Sequence, residues 1–424
     1  MKRTLLIVSL VFIGLPLWAQ IHFFQGTYEE ALKKAKEEQK DLFVDFWAEW
    51  CAPCKMLAKE VFTDSLVGEY FNARFVCVQL NVEKAGNKEI VKRFKPEALP
   101  TLAFVSGAGK ELRRAAGFMP PQDLLREAKI ALGEEPGFEQ LYEKYKKNRK
   151  DFDTQQQLLF EAPAFLSTQE GYNREKWSVR IESLFPDYLK NKKLENMIND
   201  ADFYILTLYH QQTSKNDPVF DFVVKHYDRF IQVADTAVVA RYLIGLNNGY
   251  IIRLCKQGNL AYKDRIAAMD KELQKVYAGF SFGSLKVQEA ITLLADATYH
   301  LYKHDLPRFF ENMDRYFAGK GDQVELSDYT NPLEELAIVY GANMPDLVYT
   351  RCIPWIARAL EIKEGQSPEI RTRLLIILGQ CLQHTGDETK AKQSLNQAFI
   401  ESSRIQDPAK MQQFQEMIRQ MNTN

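Results

Sequence analysis

DLFVDFWAEWCAPCKMLAKEVF, residues 41–62, is the stretch whose reading decides the fold. DLFVDFW (41–47) is an apolar run of strand length. KMLAKEVF (55–62) continues with helical character, and Cys51-Ala52-Pro53-Cys54 lies between the two. Structural zinc needs four ligands, and the other cysteines, Cys77, Cys255, Cys352 and Cys381, are scattered. A structural disulfide across two intervening residues closes a very short loop and constrains little. A redox pair needs a strand feeding a helix with the first cysteine at the helix start, and this order supplies it. Free backbone N–H groups and the helix dipole favour an anion there. A thiolate at Cys51 is therefore stabilised, which makes Cys51 the candidate nucleophile and Cys54 the resolving thiol. Pro53 falls where the first turn of a helix tolerates proline.

The flanking sequence extends the pattern. Thr27 and Glu30 form a capping box ahead of the amphipathic YEEALKKAKEEQ. RFVCVQLNV (74–82) reads as a second buried strand and NKEIVKRF (87–94) as a helix. TLAFV (101–105) and ELRRAAGF (111–118) read as strands joined by a turn at 106–109, and QDLLREAKIAL (122–132) as a closing helix. Strand, helix, strand, helix, hairpin and helix indicate an α/β fold with a mixed sheet flanked by helices over residues 20–133. GAGK (107–110) falls inside the hairpin and lacks the glycine spacing of a phosphate loop.

WAEWCAPCK resembles the active-site segment of the thioredoxin-like family, with Ala52 where a glycine is usual. The resemblance covers about residues 21–133. It implies a thioredoxin fold and thiol–disulfide oxidoreductase activity without a cofactor. ALPTL (98–102) matches the family's cis-proline segment, so Pro100 is the candidate, and Leu99 the residue whose backbone pairs with substrate. Trp50 matches the surface tryptophan beside the cysteines, and Gly117 the glycine of the last strand. Asp45 matches the family's buried aspartate. A carboxyl in an apolar strand has a raised pKa, suited to taking the proton of Cys54. Gln79 stands where the family has a lysine partner for that aspartate, which puts the role of Asp45 as base in question. EVFTDSLVGEYFNARFVCVQLNV and GFMPP are similar to exported relatives, including the soluble domain of the membrane thiol transporter that carries electrons outward. Protein disulfides are the implied substrates, and a membrane electron donor the implied partner. The same dithiol can reduce, oxidise or isomerise; Trp-Cys-x-Pro-Cys with an acidic neighbour leans toward reduction.

The chain opens with Lys2 and Arg3, an uncharged apolar run at 5–18, then Ala19 and Gln20. That is the layout of a signal peptide (1–19) cleaved after Ala19, and it places the protein outside the cytoplasm, in the periplasm. The net charge of −1 gives no electrostatic reason to expect nucleic-acid binding. At 424 residues the chain is too long for one ordinary core. Residues 134–424 have helical periodicity throughout. LGQCLQHTGDETKAKQSLNQA (378–398) carries the small and apolar residues of a tetratricopeptide repeat, giving an expected all-α, TPR-like domain of helix hairpins. Such a domain could bind a protein partner, and a peptide-binding scaffold with the thioredoxin-like domain as adaptor is the rival reading. Neighbouring repeats could also bring Cys352 to Cys381. His300 and His304 are spaced i, i+4, but no further ligand completes a metal site, so none is assigned.

Overall fold

The computed structural model describes residues 20–423. The expected signal peptide, 1–19, lies outside the described residues. Backbone contacts divide the chain into two compact units, with the division after Leu184.

The first unit holds a five-stranded sheet. Its elements are β1 (Phe23–Phe24), α1 (Tyr28–Glu37), β2 (Asp41–Trp47), α2 (Ala52–Met56), α3 (Ser65–Arg74), β3 (Phe75–Asn81), α4 (Lys88–Phe94), β4 (Thr101–Val105), β5 (Glu111–Ala116) and α5 (Pro121–Ala131). The strand order is β1-β3-β2-β4-β5. β1, β3 and β2 run parallel, and β4 and β5 antiparallel. This is the thioredoxin fold.

β2 is the central strand, and alternation along it builds two cores. Phe43 faces one way, onto Leu57, Val61, Phe71 and Phe104. Leu42, Val44 and Phe46 face the other, onto Ala31, Ala35 and Phe94. The local signals act as expected at α1, where Thr27 N–H donates to Glu30 Oε2 at 2.8 Å and Glu30 N–H returns to Thr27 Oγ1 at 3.2 Å. α2 does not run straight on. Residues Leu57–Val61 form a wider turn, with Phe62 N–H bonding Leu57 O at 2.9 Å. β1 is a two-residue edge strand too short to carry a pattern. α3 was not expected either, because its apolar residues show no single face. Its start is marked by Asp64, whose Oδ1 accepts from Leu66 and Val67 N–H at 2.9 and 3.1 Å.

Every helix or strand after Ala116 is helical among the described residues. Three further helices, α6 (Phe138–Lys147), α7 (Phe152–Ser167) and α8 (Gly171–Glu182), belong to the first unit. The compact division therefore falls about 50 residues after the change of composition at 133/134. Arg126 of α5 shows one reason: it pairs with Glu135 at 3.1 Å and with Glu161 of α7.

The second unit is built of helices. Pro368–His384 and Glu388–Ser402 form a hairpin in which Gly379 faces Leu395. A Cβ on Gly379 would stand 2.8 Å from Leu395 Cγ, so this close approach needs glycine. The helix Pro218–Lys225 ends at His226, where a one-turn helix, Tyr227–Phe230, begins. Cys352 and Cys381 are buried free thiols, not a disulfide. His300 lies within the helix Val287–Tyr302, but His304 is beyond its end at φ +59, so the two do not share a helical face.

Phe43 is fully buried among Phe62, Phe71 and Phe104, and Cys77 is a buried free thiol in the same core. Phe43→Ala is expected to make Cys77 easier to expose by about 3–5 kcal/mol. Thiol labelling of Cys77 through a urea series, read by peptide mass, measures this; unchanged labelling would show that the ring does not hold the core.

Candidate active site

Trp47 ends β2, and the chain turns through Ala48, Glu49 and Trp50, with Cys51 N–H bonded to Ala48 O at 3.1 Å. That turn places Cys51 as the N-cap residue of α2. Its Sγ accepts from the Cys54 N–H at 3.2 Å, in the place a serine or aspartate oxygen takes at other helix starts. Cys51 and Cys54 are joined in a disulfide, with Cα atoms 5.3 Å apart. They are 2 % and 5 % exposed, packed with Ala48 and against Trp47, Val82 and Leu99.

The Leu99–Pro100 peptide is cis. Leu99 packs against the disulfide just before the chain enters β4. Gly117, at the end of β5, donates its N–H to Pro100 O at 2.8 Å. Its φ of +83° lies in the region that glycine tolerates. A Cβ there would meet nothing within 4 Å, so conformation and not space accounts for this glycine.

The fold therefore brings Cys51, Cys54, Leu99, Pro100 and Gly117 to one place. Trp50 stands at its edge, 67 % exposed. Its indole N–H donates to Glu83 Oε1 at 3.1 Å. Glu83 and Val82 escaped the sequence reading. They lie more than 25 residues from either cysteine, and only the parallel pairing of β3 with β2, extended by Val82 N–H to Trp47 O at 2.9 Å, brings them there.

Asp45 lies in β2 two residues after Phe43 and so on the same face of the sheet. Gln79 is its register partner across β3 and donates Nε2–H to Asp45 Oδ2 at 2.9 Å. The residue that replaces the expected lysine is thus still the partner of the carboxyl, but a neutral one. Asp45 Oδ1 is buried without a hydrogen bond.

A family profile described as a thioredoxin-like domain matches residues 28–130. Thioredoxin 1 of Chlorobaculum tepidum is 37% identical over 92 residues, which are 22% of this chain and 85% of that protein. The thiol:disulfide interchange protein DsbD of Actinobacillus pleuropneumoniae is 34% identical over 105 residues, covering 24% of this chain and 18% of that protein. Among solved structures, a Bacteroides thetaiotaomicron protein provisionally called a disulphide-isomerase is 40% identical, over 28% of this chain and 97% of that one, with a TM-score of 0.26.

Burial lifts the Asp45 carboxyl from its ordinary 3.8 to about 7, and the Gln79 hydrogen bond offsets only part of the rise. A raised acid pKa means that the folded chain holds a proton the unfolded chain has lost between pH 4 and 7. The cost of burying the charge is thus absent below about pH 4, grows as the pH rises, and is complete above 7. Asp45→Asn removes it and can keep the bond from Gln79. The variant is expected to match the wild type near pH 4 and to be more stable at pH 8, with a ceiling of roughly 4 kcal/mol. Thermal unfolding of the oxidised proteins at both pH values tests this; a gain equal at the two would refute the buried charge as its source.

Proposed function

Since the chain belongs to the thioredoxin-like family and is a thiol–disulfide oxidoreductase, we propose that it acts outside the cytoplasm as a reductant of protein disulfides. In this reading residues 1–19 are a cleaved signal peptide, 20–133 the catalytic domain, and 134–424 a TPR-like domain that selects or holds protein partners. The observation that carries the chemistry is the Cys54 amide aimed at Cys51 Sγ at the start of a helix.

The reaction starts from the dithiol. Cys51 thiolate attacks one sulfur of a substrate disulfide, forming a Cys51–substrate bond and expelling the other substrate sulfur as a thiolate, which takes up a proton. Asp45, with a pKa near working pH, accepts the proton of Cys54. Cys54 then attacks Cys51 Sγ, and the second substrate sulfur leaves as a thiolate, which takes up the proton that Asp45 received. Two electrons and two protons have passed to the substrate, and the chain is left with the Cys51–Cys54 disulfide. Trp50, Leu99, Pro100 and Gly117 form the surface on which the substrate lies, with the Leu99 backbone pairing to it. A reductant working outside the cytoplasm must be recharged, so a membrane dithiol donor is part of the proposal.

With dithiothreitol as electron source, the mature protein should accelerate insulin precipitation and Cys51→Ser should not; equal turbidity rates would overturn the assignment. Asp45→Asn should slow the resolving step by roughly 10²-fold and accumulate the mixed disulfide. A reduction potential near about −270 mV supports the reductant role, and one near about −120 mV would make the protein an oxidant. Edman sequencing of the exported protein should begin at Gln20. Cys54→Ser should trap substrates and the donor on Cys51, and a trap holding no membrane protein would remove the donor from the scheme.

The scaffold reading has its own support in the helical unit. A groove of ≈ 730 Å³ there is lined by Leu336, Val348, Tyr349, Cys352, Ile377 and Cys381, among others. Removing residues 185–424 should leave insulin reduction intact while reducing the range of partners trapped by Cys54→Ser; an unchanged set would refute a selecting role.

A further inference from the structure

Two aromatic side chains stand exposed beside the disulfide, and they come from different parts of the sheet. Where β2 delivers the cysteines, the strand order sets β3 on one side of it and β4, then β5, on the other. Trp50 is tied to the β3 side by its indole N–H, which donates to Glu83 Oε1 at 3.1 Å. β2 and β5 are each antiparallel to β4, so they run the same way and end at the same edge of the sheet. There Gly117 donates its N–H to Pro100 O at 2.8 Å, and Phe118 follows. The disulfide and the Leu99–Pro100 peptide thus lie between Trp50 and Phe118.

Phe118 is left outside the core. The next residue, Met119, packs against the core of Phe43 and Phe71. Phe118 is 39 % exposed and meets no other aromatic ring among the described residues. Single apolar residues scattered over a surface are ordinary. A ring beside a reacting disulfide is different, because the substrate has to approach past it. Neighbouring strands are about 4.8 Å apart, which puts β5 roughly 10 Å from β2. An extended chain covers that distance in about three residues. A substrate lying against Leu99 with its sulfur at Cys51 therefore brings to Phe118 a side chain about three residues from its own cysteine. A phenyl ring offers neither charge nor a conventional hydrogen bond, so what it selects is an apolar side chain.

We propose that Phe118 is a specificity-determining residue, which favours protein disulfides whose cysteine has an apolar side chain about three residues away. The inference rests on the chain acting on protein disulfides. Trp50 bounds the site on the opposite flank.

The test uses the purified protein, reduced with dithiothreitol and then freed of it, and short peptides rich in glycine and serine. Each peptide has a single cysteine, carried as its mixed disulfide with thionitrobenzoate. Cys51 attacks the peptide sulfur and expels thionitrobenzoate, the better leaving group, whose absorbance gives the rate; Cys54 then releases the peptide thiol. Leucine or glycine stands about three residues before or after the cysteine. For one of the two placements the leucine peptide is expected to react roughly tenfold faster than its glycine counterpart. The ratio is read within each protein, so a general loss of activity cancels. Phe118→Ala should bring the ratio close to unity, and Phe118→Leu should keep most of it. A wild-type ratio near unity at both placements, or a ratio retained by Phe118→Ala, would overturn the role of Phe118 and leave the oxidoreductase chemistry standing. Failure to release thionitrobenzoate from any peptide would overturn both this role and the reductant reading.

Discussion

A backbone amide pointed at a sulfur is the contact on which the chemistry of this chain depends. The Cys54 N–H reaches Cys51 Sγ because Cys51 caps a helix, and Cys51 caps that helix because β2 ends at Trp47 and the chain turns once before α2. A helix start has N–H groups with no partner within the helix. In most proteins an oxygen side chain answers them. Here a sulfur does, and the field of a helix start favours negative charge on the atom that answers it. The two phenylalanine-rich cores on either face of β2 hold the strand, and so hold the direction in which the helix begins.

Behind this contact lies a second electrostatic device. Asp45 is embedded in the central strand, and its one hydrogen bond comes from a neutral amide. A lysine at position 79 would pull the carboxyl toward the ionised state. Gln79 supplies a hydrogen bond without that pull, and burial leaves the carboxyl with a pKa raised to about 7. The consequence is a fold that is less stable when the proton is gone.

The helical region follows a different logic. In its hairpin of Pro368–His384 and Glu388–Ser402 a small residue lets two helices approach, as Gly379 does against Leu395. Its polar interior is not uniformly quiet. Asp202 with Lys192 and Tyr188, and Asp328 with Lys320 and Tyr316, are buried clusters in which each charge has its counterpart. Arg265 differs from these because one arm of its guanidinium is left over.

Much of the catalytic domain could be read directly. Alternation in DLFVDFW, the Thr27–Glu30 box, the Ser106–Gly109 turn and the position of Cys51 before a helical run are local patterns, and local patterns survive folding because they concern neighbours in the chain. The match of ALPTL carried Pro100 and Leu99. α3 and β1 escaped, the first because its apolar residues form no single stripe, the second because two residues carry no period. The sequence alone determined that a strand hands a cysteine to a helix, and that residues beyond 134 are helical. Tertiary structure decided everything that needed two distant segments to meet. It set Glu83 against Trp50, Gln79 against Asp45 and Leu99 against the disulfide, placed the compact division after Leu184, and left Arg265 with an unanswered donor. Contacts of that kind depend on register and on three-dimensional closure, which no run of neighbouring residues encodes.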